Sequence, residues 1–380
     1  MKQWLVIFLL LIGMTLMISF TNSTYILQGG DPYTDSLRTL YAQPSRYWPV
    51  PDVDAGVPWQ ELDSLPDAPL KPLADSLKDL IALGKLLFFD PRLSSSGQIS
   101  CASCHAPDLS WADGREKAVG HDQQVNQRNT PSLENVWYFK KLFWDGRSSG
   151  LEDQVFGPVN NAKEMHGDMQ LLPSKLKAIK GYQVLFRDAF ASDKITAPRI
   201  AKAIATYEQT ITSRKTRLDL FLAGYKNALS DGAVRGLHLY RTKARCMNCH
   251  YGPLMTDNDF HNIGLTYYGR LYQDLGRYNV TGRAADVGKF KTPSLRDVIR
   301  TRPWMHNGLF DDINGVINMY SAGMPQPKPR PDQLGDTLFP KTDPLIKRLN
   351  LTKVEKEDLI EFLNAVTTVP WKVRIPALPQ

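Results

Sequence analysis

Cysteine is scarce in this chain, four residues in 380, and all four fall in two short motifs, so no thiol is left for any other task. Long apolar runs are scarce too. Past Phe20 no segment is apolar enough to cross a bilayer. Alternating apolar and polar stretches of useful length are missing, which argues against a β fold. No basic cluster interleaved with aromatics occurs, so the chain gives no sign of a nucleic-acid partner. The formal net charge of +7 suggests a surface that tolerates anionic partners, and no more than that.

What is present is Cys-x-x-Cys-His, twice: Cys101-Ala102-Ser103-Cys104-His105 and Cys246-Met247-Asn248-Cys249-His250. This spacing is the attachment signature of c-type haem. Two thiols add across the vinyl groups, and the adjacent His is placed to ligate the iron. Other readings do worse. A redox dithiol needs no His, a zinc finger needs its His residues well downstream, and a disulfide between the paired cysteines would waste both His residues. Two motifs imply two covalently bound haem c groups, whose propionates would offset about four of the positive charges.

The chain opens Met1-Lys2-Gln3-Trp4 and then runs apolar from Leu5 to Phe20. One positive charge before a hydrophobic stretch reads as a secretory signal, and residues 1–23 are expected to be a signal peptide or an N-terminal anchor to the inner membrane. Either places the body in the periplasm, which agrees with haem attachment outside the cytoplasm. The remaining length suits two domains with real cores. Residues 24–75, rich in Pro and Asp, are expected to form an extended arm.

The two motifs sit in an internal repeat. Thr130-Pro131-Ser132-Leu133 recurs 162 residues later as Thr292-Pro293-Ser294-Leu295, and the same offset carries Trp144-Asp145-Gly146 onto His306-Asn307-Gly308 and Val136 onto Val298. The second copy carries an insertion between its haem motif and the repeat, expected within Asp257 to Arg283. Periodicity is helical. Leu77, Leu80, Ile81, Leu87 and Phe88 mark a helix that Asp90-Pro91 stops. Ile200, Ala203, Ile204, Tyr207 and Ile211 mark a second. Thr352-Lys353-Val354-Glu355 is a capping box for a third, bearing Leu359, Phe362, Leu363 and Val366. The fold class is therefore all-α, with a domain boundary near Lys215: residues 76–215, residues 216–370, and a tail of 371–380.

With these residues in place, the sequence resembles the bacterial diheme cytochrome c peroxidase family, which includes the MauG-type enzymes. The resemblance covers roughly residues 76–370. It rests on Gly97 to His105, Gly120-His121, Arg128-Asn129-Thr130-Pro131-Ser132-Leu133, Phe143-Trp144-Asp145-Gly146-Arg147, Glu152-Asp153-Gln154, Gly157-Pro158, Lys163-Glu164-Met165, Lys291 to Arg296, and Pro303-Trp304-Met305-His306-Asn307-Gly308. It implies two cytochrome c-like helical domains, a peroxidatic haem in the first and an electron-transfer haem in the second.

The resemblance also implies roles. His105 and His250 are the proximal iron ligands. His121 matches a displaceable distal ligand of the first haem. Glu164 and Gln154 match distal-pocket residues: a carboxylate whose pKa an apolar pocket raises can move a proton between the peroxide oxygens, and the amide can donate to bound oxygen. Trp144 matches a tryptophan between the haems. Asn129, Thr301 and Pro303 match a calcium site of oxygen donors. The distal ligand of the second haem divides the family. Peroxidases place Met there; MauG-type enzymes place Tyr, an anionic donor that stabilises high-valent iron. The family register puts Tyr320 at this position, with Met324 one turn on as the alternative, Met319 facing elsewhere, and His261 an outside candidate.

The expected activity is reduction of hydrogen peroxide to water with electrons from a small periplasmic donor such as a cytochrome c or a cupredoxin. The alternatives are a MauG-like diheme oxidase acting on a protein or organic substrate, and a non-catalytic diheme electron carrier. Homodimerisation stays open.

Overall fold

The computed structural model of the chain describes residues 31–380, so the expected signal or anchor segment lies outside the described residues. Among the described residues no helix is long and apolar enough to cross a membrane. The architecture is helical: α1 (Pro32–Tyr41), α2 (Lys78–Phe89), α3 (Cys101–Cys104), α4 (Leu151–Asn160), α5 (Leu172–Lys177), α6 (Lys180–Phe190), α7 (Ala197–Glu208), α8 (Arg217–Leu222), α9 (Asp231–Arg241), α10 (Tyr278–Thr281), α11 (Ile313–Ala322) and α12 (Lys353–Ala365). The sheet content is a two-residue antiparallel ladder, β1 (Phe260–His261) on β2 (Phe290–Lys291).

Local chemistry sets the helix ends. Helix α2 stops where the Asp90 carboxylate takes the Arg92 N–H at 2.9 Å and Pro91 cannot continue the ladder. At α12 the capping box forms in both directions, Glu355 N–H to Thr352 Oγ1 and Thr352 N–H to Glu355 Oε2. Helix α7 ends at Glu208, one turn earlier than its apolar period suggests, and Ile211 closes the turn by donating its N–H to the Glu208 carbonyl.

The buried side chains form two clusters. One gathers on α2 and α7 around Leu83, Leu87, Phe88, Ile200 and Ile204; its last member is Ile211. The second begins again at Leu218 in the chain and gathers on α9 and α12 around Leu237, Tyr240, Phe362 and Val366. In each cluster a glycine lets the central helix pair touch backbone to backbone. A Cβ at Gly84 would lie 1.9 Å from the Ala203 carbonyl oxygen, and one at Gly236 would lie 2.0 Å from that of Asp358.

The repeat is visible in detail. The Leu142–Ser148 bridge recurs as Trp304–Phe310, and left-handed Asn135, Phe143 and Gly146 recur as Asp297, Met305 and Gly308. Helix α4 recurs as α11. Ser132 Oγ donates to the Ser110 carbonyl at 2.6 Å, as Ser294 Oγ does to that of Leu254 at 2.7 Å. The copies also meet reciprocally. Asn129 N–H donates to the His306 carbonyl and Lys291 N–H to the Trp144 carbonyl, both at 2.8 Å. These two bonds exchange under the 162-residue offset, as equivalent contacts do about a local two-fold.

Of the arm expected over residues 24–75, the described part, residues 31–75, begins with a helix and packs onto the body. It carries α1 and buries Tyr41, Trp48 and Leu62 in the second cluster, because apolar side chains spaced among its prolines can leave water there. The fully buried Arg241 guanidinium ties it down, donating to the Glu61 carboxylate, to the Pro49 carbonyl at 2.8 Å and to Tyr41 Oη at 3.3 Å. The tail returns to the first cluster: Gly181 N–H donates to the Gln380 carbonyl and Arg92 Nη1 to that of Pro379, both at 3.0 Å.

Candidate haem site

The two Cys-x-x-Cys-His motifs open into one cavity of about 780 Å³ between the repeat copies. All four cysteines are free thiols. His105 Nδ1 lies 2.9 Å from the Trp111 carbonyl oxygen, and His250 Nδ1 lies 3.0 Å from that of Met255. A carbonyl only accepts, so Nδ1 carries the proton and Nε2 keeps its lone pair for a metal. Trp111 and Met255, which supply those carbonyls, both have left-handed backbone, φ 59° and 54°. The same strained presentation therefore orients the imidazole in each copy.

Lys291 tests whether a haem fits. It is 9% exposed, forms no ion pair among the described residues, and sets its Nζ 3.8 Å from the Phe139 ring centroid on the cavity wall. Burial without a counter-ion pushes it down to about 7. A buried cation of this kind calls for an anion, and haem propionates are carboxylates. The free cysteines, the neutral imidazoles and this unpaired cation together fit the group.

Several expected residues share the cavity wall: Gln154, Glu164, Trp144, Asn129, Thr301, Pro303 and Tyr320. Glu164 Oε1 accepts from Asn161 Nδ2 at 2.8 Å, and desolvation raises its pKa against the pull of that bond and of Arg147. Trp144 donates its indole N–H to the Asn129 carbonyl at 2.9 Å. Asn129 commits Nδ2 to the Arg115 carbonyl at 2.9 Å, which keeps Oδ1 out of that bond, while Thr301 Oγ1 donates to the Val298 carbonyl at 3.1 Å.

On α11 the face Ile313, Val316, Ile317 and Tyr320 lines the cavity; Met319 and Met324 do not. Burial pushes the Tyr320 phenol well up. The equivalent residue of the first copy, Pro158, also lines the cavity but has nothing to offer a metal. His261 holds a carboxylate on each nitrogen, Asp343 at 2.6 Å and Asp257 at 2.7 Å. Against desolvation, those bonds push it up to about 12, which leaves no lone pair for iron.

His121 is not brought into this cavity. It lines an adjoining recess with Ser96, Asp113 and Arg115, which shares Ile99 and Cys104 with the cavity wall. Its ring stands edge-on to His166 at 4.6 Å, and its N–H donates to the Glu164 carbonyl at 2.7 Å. Gly120 permits that docking, since a Cβ there would lie 2.1 Å from the Lys163 carbonyl oxygen.

Three further residues draw no role from the sequence. Lys291 replaces Asn129 at the repeat offset, and that change of charge was the available signal. Glu208 sits on the buried face of α7 one turn after Ile204; it lines the cavity near Cys101, and desolvation pushes it up to about 8. Arg128 joins the first copy to the inserted segment, donating Nε and Nη2 to Asp274 at 2.6 and 2.9 Å and Nη1 to Asp145 at 2.6 Å.

Known proteins share this arrangement. A family model described as di-haem cytochrome c peroxidase matches residues 78–227. The methylamine utilization protein MauG of Methylophilus methylotrophus is 35% identical over 86% of this chain and 94% of its own length. Cytochrome-c peroxidase IdrP1 of Denitromonas iodatirespirans is 36% identical over 84% of this chain and 89% of its own. The crystal structure of a MauG-like protein associated with microbial copper homeostasis matches with a TM-score of 0.69 and 29% identity, covering 83% of this chain and 95% of that one. The chain thus belongs to the di-haem cytochrome c peroxidase family, whose members carry both peroxidase and MauG names.

Proposed function

We propose that the protein is an exported di-haem c-type peroxidase that reduces hydrogen peroxide to water, drawing electrons from a small donor such as a cytochrome c. The observation that carries this reading is a half-buried carboxyl, Glu164, whose pKa desolvation raises, on the wall of a cavity that also holds both Cys-x-x-Cys-His motifs. When bound, the haem on His105 supplies an iron at which peroxide can be cleaved, and the haem on His250 supplies a one-electron store.

This chain's own residues do the rest. Glu164 Oε1 is held by Asn161, which leaves Oε2 to take the proton from one peroxide oxygen and return it to the other. The reduction consumes two electrons and two protons for each peroxide and yields two waters. Gln154, on α4, lines the same cavity and would donate an amide hydrogen to a peroxide oxygen. Trp144, bonded to the first copy through Asn129 and to the second through Lys291, bridges electron flow between the haem seats. Asn129, Thr301 and Pro303 would offer oxygen donors to a Ca²⁺.

A test mixes peroxide with the holoprotein and a reduced small cytochrome. Peroxide-dependent oxidation of the cytochrome is expected, and none above background would overturn the reading.

A second reading is favoured by one observation. Tyr320 lines the cavity where Met319 and Met324 do not. A phenolate ligand makes the second haem a poor acceptor from a high-potential donor and suits a MauG-like oxidase of a protein or organic substrate. A low potential for that haem, together with peroxide-dependent oxidation of an organic donor in place of cytochrome, would select it.

A further inference from the structure

The two repeat copies put different rings at one repeat position beside the haem cavity. The 162-residue offset that carries Asn129 onto Lys291 carries Trp144 onto His306. Both rings line the cavity. Trp144 uses its indole N–H inside the protein, on the Asn129 carbonyl at 2.9 Å. The equivalent acceptor for His306 would be the Lys291 carbonyl. An imidazole reaches less far than an indole, and His306 Nε2 is buried with no partner among the described residues.

The surroundings fix where that nitrogen sits. His306 is 3% exposed. Its ring lies face to face on Phe290, with centroids 3.5 Å apart and planes 10° apart. The Arg128 guanidinium stands 5.5 Å from the centroid of the same Phe290 ring. The His306 carbonyl accepts the Asn129 N–H at 2.8 Å. Two residues on, a Cβ at Gly308 would lie 2.0 Å from the Glu116 carbonyl oxygen. Stacked on one face and tethered through its backbone, the ring has little freedom to turn toward another acceptor.

A buried polar nitrogen in a native fold nearly always has a partner, and here the cavity is where one can come from. Burial keeps the imidazole neutral, so it carries a single N–H. Phe290, on which it lies, is followed in the chain by Lys291, the unpaired cation of the same cavity wall.

We infer that His306 donates its Nε2 hydrogen to a carboxylate of a bound haem. An N–H bonded to an ionised carboxylate is held more strongly than one between neutral groups, and a neutral ring adds no charge to the cavity. The two copies thus divide one repeat position between them: the indole braces the protein, and the imidazole braces the cofactor. The inference stands whether or not peroxide is the substrate, because it concerns only how the haem is seated.

The test is resonance Raman spectroscopy and redox titration of the holoprotein, for the wild type, His306→Phe, His306→Leu and His306→Gln. Phe and Leu remove the donor, Phe keeps a ring against Phe290, and Gln keeps an N–H. The propionate bending band of one haem should move in the Phe and Leu variants and stay near its wild-type place in the Gln variant. With the donor gone, that haem's reduction constant should fall by up to about tenfold, because the positive end of an N–H dipole near the carboxylate favours the reduced state. Bands that coincide in all four proteins would overturn the inference. So would equal shifts in all three variants, which would mean that the ring only packs. Loss of a low-spin signal in all three would overturn it by making His306 an iron ligand. Failure of all three to retain haem would do the same, because thioethers and proximal imidazoles hold the group without this bond.

Discussion

Replacing Glu164 with Gln removes a proton carrier and little else. The amide has nearly the same volume, and its oxygen can still accept the Asn161 Nδ2 bond of 2.8 Å. The Glu164 carbonyl, which receives the His121 N–H, is unaffected. The fold and haem content should therefore persist, and the loss should fall on turnover. General acid–base catalysis by a positioned side chain is worth about 10²–10⁴-fold, or about 3–5 kcal/mol of barrier. Stopped-flow mixing of the reduced holoprotein with peroxide reads this directly. The pH profile adds a second criterion. Desolvation raises the Glu164 pKa, while the Asn161 bond and Arg147 lower it by less. The base must be ionised to accept a proton, so wild-type activity should fall as pH drops through that raised value. The Glu164→Gln variant has no such group, and its profile should lose the acidic limb. A variant that keeps more than about a tenth of the rate, or keeps the acidic limb, would refute the assignment.

Three other perturbations separate the roles of the cavity wall and its frame. Tyr320→Phe should change the absorption spectrum and raise the potential of the second haem, whereas Met324→Leu should leave both unchanged; the reverse outcome would restore Met as the ligand. Lys291→Met removes the unpaired buried cation and should lower a haem midpoint potential in redox titration, because a nearby positive charge favours the reduced state; unchanged potentials would count against a propionate partner. Arg128→Leu strands Asp274, whose side chain is 13% exposed, while Asp145 retains Arg147 at 3.0 Å. Breaking such a pair is worth roughly 3–5 kcal/mol, so thermal unfolding should come many degrees earlier; a shift of only a degree or two would mean the inserted segment is not held by this contact.

Legibility in the sequence followed the range of the interaction. The haem motifs and the capping box at Thr352 are short-range patterns, and the residues that form them are adjacent in the chain. The repeat was legible because two copies of one structure repeat their turn chemistry at a fixed offset, and Asn135 and Asp297 keep the same left-handed backbone. The arm escapes such a reading because proline and aspartate set local stiffness but say nothing of Tyr41, Trp48 and Leu62 finding a distant core. His121 shows a similar limit. Its motif places it near the first haem in the chain, yet the docking of Gly120 on Lys163 decides where the ring goes.

The chain's two ends are crossed over. Tyr41, Trp48 and Leu62, near the beginning, complete the second hydrophobic cluster, and Pro379 and Gln380 close onto the first through Arg92 and Gly181. Each half is thus finished by residues that lie beyond the other half in the sequence. A chain emerging from its N-terminus presents Cys101 and Cys104 well before the tail that covers their domain exists. The thiols are reachable for covalent haem attachment during that interval, and the same topology means that cutting the chain near Lys215 would yield two fragments that each lack the segment sealing their own core.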